Sequence, residues 1–160
     1  METIEEVFDY IIIGAGSAGA VLANRLSSDE RTRVLLLEAG KPNNIWTHIP
    51  IGFGRLIENP DANWCYSAEP EENTNGRRMP VPRGKLLGGS SAINGMIFVR
   101  GQPLDYDTWA QLGNRGWSYR EVLPFFQKME QFDGGDEEYR GRSGPLRVTE
   151  IPEVEPLYQA

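Results

Sequence analysis

Cysteine and histidine are almost missing from this sequence. The single cysteine, Cys65, excludes an internal disulfide and suits a reducing compartment. It sits beside Trp64 with no histidine or lysine next to it, so it is expected as a small buried hydrophobe rather than a nucleophile. His48 is the only histidine, without a second cluster of ligand-type residues, which argues against a metal site and for a surface or satisfied histidine. Long apolar runs are absent too: nothing approaches the roughly 18 residues that span a bilayer. Positive charge is in deficit, 16 Lys and Arg against 23 Asp and Glu for a net −7, which speaks against nucleic acid or an anionic membrane surface as partner. The opening METIEEVFDY is acidic and runs quickly into a strand, so neither a secretory nor a mitochondrial leader is expected, and the cytoplasm is the expected location. There is no internal repeat and no low-complexity tract. At 160 residues the chain fits one ordinary domain with a real core.

What the sequence does have is concentrated at Asp9–Glu38, DYIIIGAGSAGAVLANRLSSDERTRVLLLE. Tyr10-Ile11-Ile12-Ile13 is a continuous apolar run, the pattern of a strand buried on both faces. Gly14, Gly16 and Gly19 follow in the spacing GxGxxG. Ala20, Val21, Ala23 and Leu26 then mark a helix of about two to three turns that stops at Ser27-Ser28-Asp29. Val34-Leu35-Leu36-Leu37 is a second strand, and it delivers Glu38. Each glycine has a reason in that order. Gly14 allows a tight turn, Gly16 lets the backbone approach a pyrophosphate, and Gly19 lets helix and sheet pack closely. Amides of the first helical turn, from about Ser17 to Gly19, face the phosphates, where the helix dipole favours negative charge. Glu38 stands 19 residues past Gly19, placed to accept hydrogen bonds from ribose hydroxyls. A carboxylate there repels a 2′-phosphate, which disfavours NADP and leaves NAD and the ADP half of FAD. The alternative is an ordinary βα turn without a ligand.

Beyond Gly40 the pattern turns irregular as far as about Arg78. Lys41-Pro42-Asn43-Asn44, Asn59-Pro60-Asp61 and Glu71–Gly76 are turn signals. Trp46, Ile49, Ile51, Phe53, Leu56 and Ile57 between them are too apolar for a linker, so this is read as an excursion folding over something, with a short strand near Trp64–Ala68. The stretch PRGKLLGGSSAINGMIFVRG, Pro82–Gly101, then places two glycines and two serines in succession. That favours close backbone approach to a ligand and the start of a helical turn, with amides and hydroxyls able to hold a pyrophosphate from the side opposite the first helix. A glycine loop that merely packs is the competing reading. Asn94 and Gly95 lead into an apolar segment suited to lying along a flat ring.

The remainder reads as scaffold. Asp105–Leu112 is a short helix stopped by Gly113. Ser118 with Glu121 is a capping box opening a helix through about Gln131, and Pro124 should bend or fray its first turns. Asp133–Glu138 carries four acids and reads as a solvated loop; Leu146–Thr149 alternates like a strand.

Taken together, the two glycine stretches resemble the glucose–methanol–choline (GMC) oxidoreductases, FAD-dependent alcohol oxidases and dehydrogenases, over nearly the whole chain. Glu38-Ala39-Gly40 looks like the family's end to the second strand, Gly84–Asp107 like its first signature, and Gly116-Trp117-Ser118 and Gly141–Leu146 like later landmarks. The resemblance implies an α/β, Rossmann-like FAD-binding domain of GMC type, incomplete in this chain. Its expected parts are a dinucleotide fingerprint at 7–40, a lid or excursion at 41–80, the signature and flavin-contact segment at 81–112, and a helix leading toward a substrate-domain boundary at 113–160. It implies that Gly14, Gly16, Ser17, Ala18 and Gly19 hold the FAD pyrophosphate and that Glu38, followed by Ala39, holds the adenosine ribose. Trp64 would border the adenine and the flavin lid. Gly88, Gly89 and Ser91 would approach the pyrophosphate and ribityl chain, and Asn94, Gly95, Met96 and Ile97 would line the isoalloxazine.

Two departures shape the expectation. Some relatives carry, just before that asparagine, a histidine bonded to the flavin; Ile93 stands here, so FAD is expected to be non-covalent. Family members are also several hundred residues long, and their catalytic histidine with its His or Asn partner would lie beyond Ala160. The expectation is therefore the FAD-binding N-terminal portion of a choline dehydrogenase-like flavoenzyme that oxidises an alcohol to a carbonyl. Its partners would be an alcohol substrate and the remaining C-terminal portion, with no catalytic residue in this chain. A hydroxynitrile lyase, a fatty-acid photodecarboxylase and a nucleotide-binding module without catalysis are the alternatives.

Overall fold

The computed structural model describes residues 6–42 and 44–150. Its contacts divide the chain between Ile97 and Phe98 into two units, so the segment expected at 81–112 contributes to both.

The first unit opens with the βαβ element. Strand β1 (Tyr10–Ile13) and strand β2 (Val34–Leu37) pair in parallel, Tyr10 opposite Val34 through Ile13 opposite Leu37, with helix α1 (Ser17–Leu26) between them. Parallel pairing requires such a crossover. Gly14 leaves the strand at φ +93°, a conformation that strongly favours glycine, and its N–H donates to the Leu37 carbonyl at 2.7 Å. A Cβ at Gly19 would lie 1.9 Å from the Gly14 carbonyl oxygen, so the helix can lean on the turn only without a side chain there. Within β1, Ile12 is buried, whereas Ile11 is 61% and Ile13 87% exposed. Burial on both faces, expected from the apolar run, is therefore not realised. Among the described residues β1 and β2 form a sheet of two strands, with no further strand paired to its outer edges.

The core of this unit lies beneath the excursion, not around the sheet. Leu56 from helix α2 (Phe53–Leu56) packs with Ala62, Leu86 and Ile93, all buried. A ribbon of β3 (Tyr66–Ser67) and β4 (Pro80–Val81), antiparallel, carries the chain back toward Gly84. Cys65 is a correction: it is exposed rather than buried. The backbone at Cys65 is left-handed (φ +53°), and its thiol stays at the surface, donating to the Asn63 carbonyl at 3.6 Å instead of entering the core.

The second unit packs helix α3 (Pro103–Gln111) on helix α4 (Tyr119–Met129) through aromatic rings. Tyr106 meets Trp109 and Phe126 edge to face, with centroids 5.4 and 5.6 Å apart. Helix α3 starts earlier than the expected Asp105, because Pro103 suits the first helical position and the Asp105 carboxylate accepts from the Gln102 N–H at 2.8 Å. The expected capping box opens α4. Glu121 accepts from the Ser118 N–H at 3.1 Å and from its hydroxyl at 2.5 Å, and that hydroxyl holds the Glu121 carboxyl below its usual range. Pro124 lies within α4, which ends at Met129 and not at Gln131. Glu130–Gln131 instead forms strand β5, parallel to β6 (Leu146–Arg147).

Candidate cofactor site

Three backbone segments of the first unit meet at the start of α1. The first is the helix N-terminus itself. Gly16 caps it without a side-chain hydrogen bond, and the first turn holds no acidic residue. Its leading N–H groups, at Ser17 and Ala18, have no partner within the helix and lie at exposed residues. Bare amides and the positive end of the helix dipole, with no carboxylate in the helix's own first turn, suit a phosphate.

The second segment is the later glycine loop. Gly88 (φ +94°) and Gly89 (φ +54°) are both left-handed and enter a 3₁₀ turn over Gly89–Ala92. The Gly88 N–H donates to the Ala15 carbonyl at 2.8 Å, and a Cβ on Gly89 would lie 2.8 Å from the Gly16 Cα. The two glycine loops therefore touch backbone to backbone, an approach that side chains would prevent. The serine hydroxyls are partly committed inside the loop. Ser91 donates to the Gly88 carbonyl at 2.6 Å, and Ser90 accepts from the Gly84 N–H at 3.1 Å.

The third segment is the end of β2. Glu38 accepts from the Ala15 N–H through Oε2 and from the Gly40 N–H through Oε1, both at 2.9 Å. Each oxygen keeps a second lone pair, so the carboxylate can brace the glycine turn and still accept from a ribose hydroxyl. Ala39, exposed, follows it. Next in the chain, a Cβ at Gly40 would lie 1.9 Å from the Lys85 carbonyl oxygen, which locks the strand end against the second loop.

Gly14, Gly16, Ser17, Ala18, Gly19, Glu38, Gly88, Gly89 and Ser91 are thus one cluster. Its centre is Ala15, 1% exposed, whose N–H and carbonyl tie the glutamate to the second loop. Sequence reasoning passed over Ala15 because its contribution is backbone only, though the GxGxxG spacing marks its position.

Trp64 stands on the ribbon that feeds the second loop. It is 42% exposed and stacked on Tyr66, with the Lys85 ammonium 4.9 Å from its ring centroid. Its place is set by Asn63, a second residue that sequence reasoning missed. Asn63 is 2% exposed; its Oδ1 accepts from Cys65 N–H at 3.0 Å and Arg83 N–H at 2.8 Å, while its Nδ2 donates to Ile57.

Asn94, Gly95, Met96 and Ile97 leave the core directly after the buried Ile93 and are all exposed. Asn94 Oδ1 accepts from the Met96 N–H at 2.9 Å, and Met96 is left-handed at φ +60°. His48 is exposed, and among the described residues no group of three or more His, Cys, Asp or Glu is placed to hold a metal.

The profile of the family described as GMC oxidoreductase matches residues 8–160. An oxygen-dependent choline dehydrogenase of Sinorhizobium fredii is 48% identical over 153 residues, which cover 95% of this chain and 28% of that protein. Among solved structures, pyridoxine 4-oxidase from Mesorbium loti superposes with a TM-score of 0.85 at 38% identity, covering 96% of this chain and 30% of that one. An FAD-dependent oxidoreductase from Chaetomium thermophilum gives 0.79 at 33% identity, covering 96% and 28%. This chain thus spans less than a third of the length of these relatives.

Proposed function

This chain belongs to the GMC oxidoreductase family, and from that premise we propose that it is the FAD-binding N-terminal portion of an enzyme that oxidises an alcohol, choline being the first candidate, to a carbonyl. The cofactor is FAD. Bound, it supplies the acceptor for a hydride from the alcohol carbon.

This chain's own residues bind and orient. The amides of Ser17 and Ala18 receive the pyrophosphate at the start of α1, and the backbone of Gly88 and Gly89 closes on it from the other side. Glu38 takes the ribose hydroxyls, with Ala39 beside it. Trp64 borders the adenine side, and Asn94, Gly95, Met96 and Ile97 lie along the isoalloxazine. The observation that carries this reading is the contact of two glycine loops far apart in sequence, joined by the Gly88–Ala15 hydrogen bond beside an uncapped helix start. Chance glycines have no reason to meet there. The base that removes the hydroxyl proton belongs to the remaining C-terminal portion of the enzyme.

Ile93 packs into the core with Leu56, Ala62 and Leu86 and offers no atom for a flavin bond, so the cofactor is held without a covalent link. Among the described residues no helix is long and apolar enough to cross a membrane. A lone, exposed thiol at Cys65 suits the reducing cytoplasm, where we place the enzyme.

The test is purification of the full-length protein. It should be yellow, should bleach anaerobically with choline or another small alcohol, and should release all its colour to the supernatant on acid precipitation. A colourless protein would refute the assignment; colour left in the pellet would refute only the non-covalent attachment.

A further inference from the structure

We infer that Asn63 is a positioning residue for the cofactor, acting through the Arg83 N–H to set the second glycine loop against the first. This role rests on the reading above that Gly88 and Gly89 close on the FAD pyrophosphate.

The second loop is delivered by residues 83–87, and that segment is tethered at every second residue. The Arg83 N–H donates to Asn63 Oδ1 at 2.8 Å, and the Lys85 N–H donates to the Ala62 carbonyl at 2.8 Å. The Leu87 N–H donates to the Lys41 carbonyl at 3.0 Å. One residue later the Gly88 N–H meets the Ala15 carbonyl, where the two glycine loops touch. The tethers of Lys85 and Leu87 end on main-chain carbonyls, which no substitution removes. That of Arg83 ends on a side chain, at the point where the chain leaves the ribbon for the loop.

The surroundings of Asn63 fit that task. It follows the core residue Ala62 and is 2% exposed, a position where an amide is costly unless it is bonded. Its Oδ1 accepts from both Arg83 and Cys65, which uses both lone pairs, and its Nδ2 donates to the Ile57 carbonyl just after α2. One carboxamide thus joins the end of α2, the approach to β3 and the exit from β4, all within the first unit. Without it the Arg83 N–H loses its acceptor, while Leu86 keeps its place in the core. The cofactor would then have to order the loop on binding, which lowers its affinity.

The experiment uses flavin-stripped, full-length protein as wild type, N63A and N63D. It measures the FAD dissociation constant and, by mass spectrometry, the amide hydrogen exchange of each protein before FAD is added. N63A should weaken FAD about tenfold, the scale of losing a bonded acceptor in a buried place. Its exchange should quicken in peptides covering residues 83–89 and stay unchanged in those covering α1, a local pattern that general destabilisation does not give. N63D keeps an acceptor for Arg83 and Cys65, so its FAD affinity should lie within about threefold of wild type. Unchanged affinity in N63A, or an equal loss in N63A and N63D, would overturn the inference. So would quickened exchange spread through α1, or failure of N63A to fold, since either would make Asn63 a residue of the fold and not of the site. A wild-type protein that takes up no FAD would instead overturn the assigned function, and this role with it, before any substitution is made.

Discussion

At Glu38 each carboxylate oxygen already accepts one backbone N–H, from Ala15 and from Gly40. The side chain therefore shapes the glycine turn even before a ribose is near it. Glu38→Ala removes both braces and the ribose contacts together. Hydrogen bonds to charged groups contribute about 1.5–3 kcal/mol each, so FAD affinity should fall by about 10- to 100-fold, read by titrating flavin-stripped full-length protein. Glu38→Gln should also weaken FAD, because its amide group must face one of the two N–H donors. Unchanged affinity in both variants would remove Glu38 from the site.

Among the elements, the junction of α4, β5 and β6 is held by a charge that the sequence does not advertise. Glu130, fully buried, pairs with Arg100, which is nearly so, and with Arg140 at 2.8 Å, and it accepts from the Gly141 N–H at 2.9 Å. The guanidinium of Arg140 also lies 4.5 Å from the Phe132 ring centroid. Removing one partner of a buried pair leaves the other uncompensated, at a cost of about 3–5 kcal/mol, while replacing both with apolar groups of similar size is often close to neutral. Glu130→Ala should therefore lower the unfolding midpoint of the intact protein sharply in a urea titration. Arg100→Met combined with Glu130→Leu should cost less than Glu130→Ala, despite carrying two changes. The reverse order would mean that the charges themselves stabilise this junction.

For the whole molecule, the exposed surface is the telling feature. Ile11, Ile13 and Leu37 stand open on the parallel pair, although parallel sheets are ordinarily covered on both faces. An uncovered apolar sheet with unpaired edges favours association. Residues 1–160 expressed alone should thus aggregate or bind a hydrophobic dye, take up little FAD and oxidise no alcohol. Co-expression with the downstream portion of the enzyme should restore FAD binding and turnover. A monomeric, FAD-loaded 1–160 that oxidised an alcohol unaided would show that the missing cover and base are not needed.

The sequence by itself determined what depends on neighbours a few residues apart. The βαβ order of Tyr10–Leu37 follows from two apolar runs and three spaced glycines; the start of α4 follows from Ser118 and Glu121. Both signals act within a turn or two of chain, so they survive without knowledge of the rest. The second glycine loop was legible from its paired glycines and serines, and the family resemblance favoured the ligand-approaching reading over mere packing, because a spacing of motifs is itself a sequence property. Only the tertiary structure decided what depends on chain closure. The contact of Gly89 with Gly16, the pivot at Ala15 and the bracing by Glu38 arise from segments that local propensity cannot pair. Burial of Glu130 and Asn63, and exposure of Cys65, reversed what residue type suggests: hydrogen bonds and ion pairs compensate the buried polar groups, and the thiol donates to the Asn63 carbonyl at the surface. Hydrophobicity describes a side chain's preference, whereas its partners in three dimensions decide whether that preference prevails.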